Sequence, residues 1–290
     1  MSAPFVTKLR TTRGSSKPAE FAAEEEEDLG VNWEFNQIVR PCVMEFLGTL
    51  VYTFLSALSI LTTLSPPVAN GNDINEASDP PTFLEFVGFL PLAATQGLVL
   101  LFLMLTLGHI SGAHFNPAVT LATWIGGGIR FILAAFYVIC QLFGGFIGGL
   151  IFRGVIDREP FETVGGAVND VQFDMTSKGG AILCELILSF LICLAYLMTV
   201  VDTDGSDPLC SSVAVSSVLF AATLVAYPLT TGSFNPARSL GTASSYAIFS
   251  RGNWEFHYVY WVGPMLGSLV AAGFYRIFSA REDKRPAFTR

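Results

Sequence analysis

The 290-residue chain is 51% hydrophobic and only 14% charged, with a mean hydropathy of +0.53, which is too apolar for an ordinary soluble domain and places it in a membrane. Its net charge of −8 comes without any basic stripe, which excludes nucleic acid as a partner.

In chain order, residues 1–40 mix basic and acidic runs with Gly, Ser and Pro and carry no apolar period, so they read as a disordered cytoplasmic tail. The first apolar run begins only after them, so no cleaved leader is expected and the first span directs insertion. Six segments approach the ~20 residues needed to cross a bilayer: 41–63, 86–108, 131–152, 180–201, 212–230 and 258–279. Of the sixteen Lys and Arg, five lie at or before Arg40 and five at or after Arg276. That places both tails, including residues 281–290, in the cytoplasm, as an even number of spans allows. The acidic loop Asp202 to Asp207 falls on the same side. Its alternating carboxylates suit calcium, although a solvated loop is the simpler reading. The cysteines Cys42, Cys140, Cys184, Cys193 and Cys210 lie in or beside spans and imply no disulfide framework.

One eight-residue word occurs twice, HFNPAVTL at 114–121 and SFNPARSL at 233–240. Asn caps the free amides of a first helical turn, and Pro fits the next position because its missing donor would be orphaned there anyway. Each copy therefore opens a helix, at Asn116, Pro117, Ala118 and at Asn235, Pro236, Ala237. The apolar run after each is about ten residues, or roughly 15 Å, half of a bilayer's hydrocarbon thickness. The first span carries Glu45 and the fourth carries Glu185, and each half delivers one such half-helix between its second and third spans. Three spans is an odd number, so the second copy enters from the opposite face. The result is an inverted repeat whose two Asn residues meet near the midplane. A buried Glu on each side accepts the backbone donors that a broken helix leaves unpaired.

HISGAHFNPAVT, SFNPARS, the paired Glu45 and Glu185, YWVGP and the spacing of eight apolar elements resemble the aquaporins over about residues 40–280. Within that family, VRPCVMEFLG and WEFHYVYWVGP are similar to the aquaporin-8 or aquaammoniaporin branch. The resemblance implies an all-α right-handed bundle of six transmembrane helices and two half-helices. It also implies one pore per subunit, a homotetramer and passive flow of water. Repeat one spans about 41–152, repeat two about 180–279, and the channel domain 41–280. A plasma-membrane location is expected.

Two helix N-termini aimed at one spot place about half a positive charge each at the midplane, which repels cations and passes neutral molecules. Asn116 and Asn235 donate to a passing water there, and Phe115 and Phe234 line the opposite wall. The resemblance makes Arg238 the arginine of a narrow outer filter. Ungapped counting places Gln96, Thr223 and Gly232 at its other positions, where water-selective members usually carry an aromatic residue or His in place of Gln96 and Thr223. Ammonia, hydrogen peroxide and urea are therefore expected alongside water, while Ser239, where glycerol facilitators carry Asp, argues against polyols. His114 shapes the cytoplasmic vestibule or makes a structural hydrogen bond; His109 and His114 are badly spaced for a shared metal. Glycines 144, 145, 148 and 149 allow close helix approach. No cofactor, metal or catalytic constellation is expected, and the chain reads as no enzyme. A coupled transporter needs ionisable groups at the site, of which only Arg238 lies near; a scaffold with a closed pore would keep the fold and lose the flux.

Overall fold

A computed structural model describes residues 34–63, 83–202, 207–249 and 254–280, with the side chains of 83–88 and 249 excepted. The two expected tails, apart from 34–40, and the middle of the acidic loop lie outside these residues. The helices are α1 Arg40–Leu58, α2 Phe83–Ser111, α3 Pro117–Gly126, α4 Phe131–Val155, α5 Arg158–Thr163, α6 Lys178–Tyr196, α7 Pro208–Thr230, α8 Pro236–Phe249 and α9 Val259–Phe274. A π-helical turn Phe35–Val39 leads into α1 and a 3-10 turn Ser59–Thr63 follows it, while π turns Leu197–Val201 and Tyr275–Ser279 extend α6 and α9. Five of the long helical stretches are long and apolar enough to cross a membrane, and α9 with its π turn supplies the sixth expected span. The expected start of the fifth span at 212 is corrected to Pro208. Asp207 accepts from the Leu209 amide at 3.0 Å with Pro208 next in line, so an Asp-Pro pair opens this helix as Asn-Pro opens the half-helices.

Polarity is distributed in reverse of a soluble protein. Leu98, Ile132 and Phe143 are each more than 60% exposed, whereas Glu45, Gln96, Gln141, Glu185 and Arg238 are buried. The outer belt is solvated by lipid, and the polar groups line or brace the interior.

Helices separated by lipid-like side chains gain little hydrophobic energy by associating, so close packing through small residues takes over. A Cβ on Gly144 or Gly148 would strike the α1 carbonyls of Phe46 or Leu50, and one on Gly145 or Gly149 would strike the α8 carbonyls of Ala237 or Gly241. Thus α4 wedges between α1 and the second half-helix, as the paired glycines predict. The second repeat repeats the contact: a Cβ on Gly267 of α9 would strike the Leu186 carbonyl of α6. Phe46 and Leu186 each follow the span glutamate, so the same joint recurs in both halves. The half-helices α3 and α8 enter from opposite ends and abut at their N-termini, where each carries its Asn.

Because the atom opposing Gly145 is backbone, it cannot rotate away. Gly145→Val should lower the unfolding free energy by about 1–3 kcal/mol or more, read as a lower thermal midpoint in detergent, whereas Gly154→Ala, which meets no atom within 4 Å, should leave the midpoint in place.

Candidate functional site

The two segments that lead into the half-helices are not helical, and their backbone is strained. Ala113 and Phe115 in the first, and Thr231 and Phe234 in the second, adopt left-handed φ of 59°, 48°, 54° and 56°, which costs roughly 1–2 kcal/mol per non-glycine residue. Gly232 (φ 55°) sits in the same run, with the Phe234 ring 3.2 Å from where a Cβ would lie.

The span glutamates hold these segments. Glu45 Oε1 accepts from the Ser111 hydroxyl at 2.7 Å and the His114 amide at 3.0 Å, and Oε2 accepts from the Phe115 amide at 2.7 Å and Gln141 Nε2 at 2.8 Å. Glu185 repeats the pattern. Oε1 accepts from the Thr230 hydroxyl at 2.8 Å and the Ser233 amide at 3.1 Å, and Oε2 from the Phe234 amide at 2.8 Å. Tyr137 donates to the Ser111 carbonyl at 2.9 Å and Tyr260 to the Thr230 carbonyl at 3.2 Å. Each carboxylate thereby satisfies amides that have no helical partner at membrane depth.

The Asn pair closes the centre reciprocally. Asn116 Oδ1 accepts from its own Ala118 amide at 2.9 Å, and its Nδ2 donates across to the Phe234 carbonyl at 2.8 Å. Asn235 Oδ1 accepts from the Ala237 amide at 3.0 Å, and its Nδ2 donates to the Phe115 carbonyl at 2.8 Å. The caps are thus cross-linked to the opposite half through one N–H of each amide, which carries a second. Both Asn side chains line a central cavity of about 30 Å³, room for roughly two water molecules at the ~10–15 Å³ each requires.

Much of the remaining lining of that cavity is apolar. Leu100 and Met104 of α2, Ile192 of α6, and Val215 and Leu219 of α7 face it. Phe115 and Phe234 border it, but each is only 1% exposed, and the Phe115 ring fills the space above Gly48. The two Phe residues share that wall with side chains of the helices, while their amides and carbonyls build the centre. A spacing signal existed, since 96, 100 and 104 and also 215, 219 and 223 recur at i+4 on one face of α2 and α7. His114 makes the structural bond, with Nδ1 3.0 Å from the Thr120 hydroxyl, and packs edge-on against Tyr137 and Tyr196 while bordering the cavity.

Next to the cavity lies a cluster of buried polar groups. Arg238 is buried, with Nη1 on Asn169 Oδ1 at 2.5 Å and Nε on the Ser56 hydroxyl at 3.4 Å. Asn169 also accepts from the Ser239 hydroxyl at 2.8 Å and donates to the Thr231 hydroxyl at 3.1 Å, and Ser239 and Ser233 hydrogen-bond to each other. Gln96 and Thr223, both fully buried, meet with Thr223 Oγ1 3.5 Å from Gln96 Oε1, and Tyr52 donates to the same oxygen at 3.2 Å. A separate cavity of about 400 Å³, bordered by Asn169, Asp170, Tyr227 and Thr231, shares no lining residue with the central one. Asn169 and Tyr52 are absent from the sequence reading. A polar residue in a long connection gives no periodic signal, and Tyr52 looks like any span aromatic.

The acidic loop is partly committed elsewhere: Asp202 Oδ1 accepts from the Tyr275 hydroxyl at 3.0 Å and Asp207 caps α7. Among the described residues no group of three or more His, Cys, Asp and Glu side chains is placed to hold a metal ion.

Residues 32–275 match the profile of the family described as Major intrinsic protein. Similar relatives include Aquaporin-8 of Rattus norvegicus, 31% identical over 88% of this chain and 87% of its own length. Aquaporin-2 of the same species is 30% identical over 84% and 80%. In fold, the X-ray structure of the aquaglyceroporin from Plasmodium falciparum superposes with a TM-score of 0.66 at 23% identity, covering 82% of this chain and 95% of that one.

Glu185→Gln would set an amide donor or a weaker neutral acceptor against the Phe234 and Ser233 amides. A buried donor left unpaired costs about 1–3 kcal/mol, so the variant should show a lower thermal midpoint in detergent. Glu45→Gln should cost at least as much, because Gln141 Nε2 loses its charged partner too.

Proposed function

The chain belongs to the major intrinsic protein family, a family of membrane channels rather than enzymes, and on that premise we propose that it conducts water passively, with small neutral solutes beside it. The reciprocal Asn116 and Asn235 caps carry this reading. Two half-helix N-termini converge there, each amounting to about half a positive charge. That charge, in a low dielectric, opposes every cation at the midplane and leaves neutral molecules their path. A water in the central cavity accepts from the spare amide N–H groups and so turns its own hydrogens away from the centre in both directions, which interrupts a proton wire.

Gln96, Thr223, Gly232 and Arg238 form the outer filter, with Asn169 and Ser56 orienting the guanidinium. These four positions hold no aromatic residue, which favours ammonia, hydrogen peroxide or urea as further solutes. Residues 41–280 constitute the channel, in repeats of about 41–152 and 180–279, between tails 1–40 and 281–290 that face the cytoplasm. The channel works as a homotetramer in the plasma-membrane bilayer. A coupled transporter is disfavoured because both carboxylates near the centre are taken up by backbone amides and so are not free to bind and release a coupling ion.

Stopped-flow swelling of proteoliposomes tests the reading. Water flux with a low activation energy and no dependence on ion gradients is expected; flux that requires a gradient would mean a transporter, and no flux a scaffold. Asn116→Asp or Asn235→Asp puts negative charge where two dipoles oppose cations, so proton leak per unit of water flux should rise. Unchanged leak in both variants would remove the dipole account.

A further inference from the structure

We propose that Tyr52 is a fifth member of the filter, whose hydroxyl fixes the Gln96 amide so that its nitrogen, and not its oxygen, meets the permeating molecule. The inference rests on the assignment of Gln96 and Arg238 to the filter. Tyr52 borders the central cavity, and its hydroxyl donates to Gln96 Oε1 at 3.2 Å. Thr223 approaches the same oxygen from α7 at 3.5 Å. The oxygen is thus held from two sides. Gln96 Nε2, in contrast, is buried with no hydrogen-bond partner among the described residues, although a buried amide donor left unpaired is costly. The constriction between two cavities is where a passing molecule supplies that partner.

One helix sets both halves of this arrangement. Tyr52 and Ser56 are one turn apart on α1; Tyr52 holds Gln96 while Ser56 holds Arg238 Nε at 3.4 Å. The filter that results offers donors, Gln96 Nε2 and the guanidinium, and hides its acceptor. It selects neutral solutes with an exposed lone pair and gives nothing to the N–H groups of a nitrogenous solute. Without the Tyr52 hydroxyl the Gln96 amide is free to turn, and its oxygen then accepts from such N–H groups. Ammonia, with three donors to one acceptor, gains more from that than water.

The test is a double-mutant cycle in proteoliposomes, measuring the ratio of ammonia to water permeability for the wild type, Tyr52→Phe, Gln96→Leu and the double variant. Phe keeps the ring and its volume, so the substitution removes the hydroxyl alone. Tyr52→Phe should raise the ratio at least twofold in the wild-type background and leave it unmoved in the Gln96→Leu background. A shift of equal size in both backgrounds overturns the proposal, because Tyr52 then acts through ring packing and not through Gln96. A shift with Gln96→Leu but none with Tyr52→Phe also overturns it while leaving the filter assignment standing. No shift in any variant removes the filter assignment and the proposal together.

Discussion

Everything in this molecule depends on satisfying backbone donors that lipid cannot satisfy. A helix broken at membrane depth exposes amides for which the hydrocarbon offers no partner, each worth several kcal/mol if left alone. The fold answers with one carboxylate per half. Glu45 and Glu185 sit on long spans and accept the amides of His114 and Phe115 and of Ser233 and Phe234. Those bonds hold Phe115 and Phe234 in left-handed backbone. The left-handed turn in each loop brings a Phe carbonyl to the Asn of the other half. The capping Asn, the strained loop and the buried Glu are therefore one device, and removing any part leaves the others unsupported.

The second constraint is distance. Two half-helices meet only if their surrounding spans approach closely, and the bundle has no hydrophobic force to draw them together. Gly144, Gly145, Gly148 and Gly149 allow α4 to lie against α1 on one side and α8 on the other, backbone to backbone. The packing joint and the polar centre are thus coupled. Phe46, whose carbonyl faces Gly144, follows Glu45 directly, so a shift of that joint moves the carboxylate that pins the first loop.

Much of this was legible in the residues because the physics there is local. Asn-Pro starts a helix by its own chemistry, Glu inside a span demands a partner, and paired glycines at helical spacing mark contact, so the half-helices, the anchors and the α4 joint follow from the chain alone. Two kinds of feature did not. The apolar side chains of Leu100, Met104, Val215 and Leu219 lie on long spans, remote in sequence from the Asn they face, so adjacency in the chain pointed only to Phe115 and Phe234, which border the same cavity. Asn169 and Tyr52 were missed because their partners, Arg238 and Gln96, lie 69 and 44 residues away, and no spacing rule links them.

The inverted repeat makes the channel's asymmetry measurable. Ser111 and Thr230 play the same part on their carboxylates, as do Phe115 and Phe234, so one register relates the second helix and half-helix of each repeat. In that register Gln96 corresponds to Val215, Thr223 to Met104 and Arg238 to Val119; matching Glu45 to Glu185 likewise sets Tyr52 against Ile192. Each of these four polar residues has an apolar counterpart in the other repeat, and those counterparts border the central cavity. The shared scaffold supplies two equal dipoles and two equal amides at the centre, which by symmetry cannot choose between solutes of one end and the other. In the proposed function, choice between solutes falls to the end where the repeats have diverged, the one holding Arg238. On that reading a molecule is sorted at the polar end before it reaches the Asn pair, an arrangement that suits a channel because tight binding at more than one deep site would slow the flow that selection has already permitted.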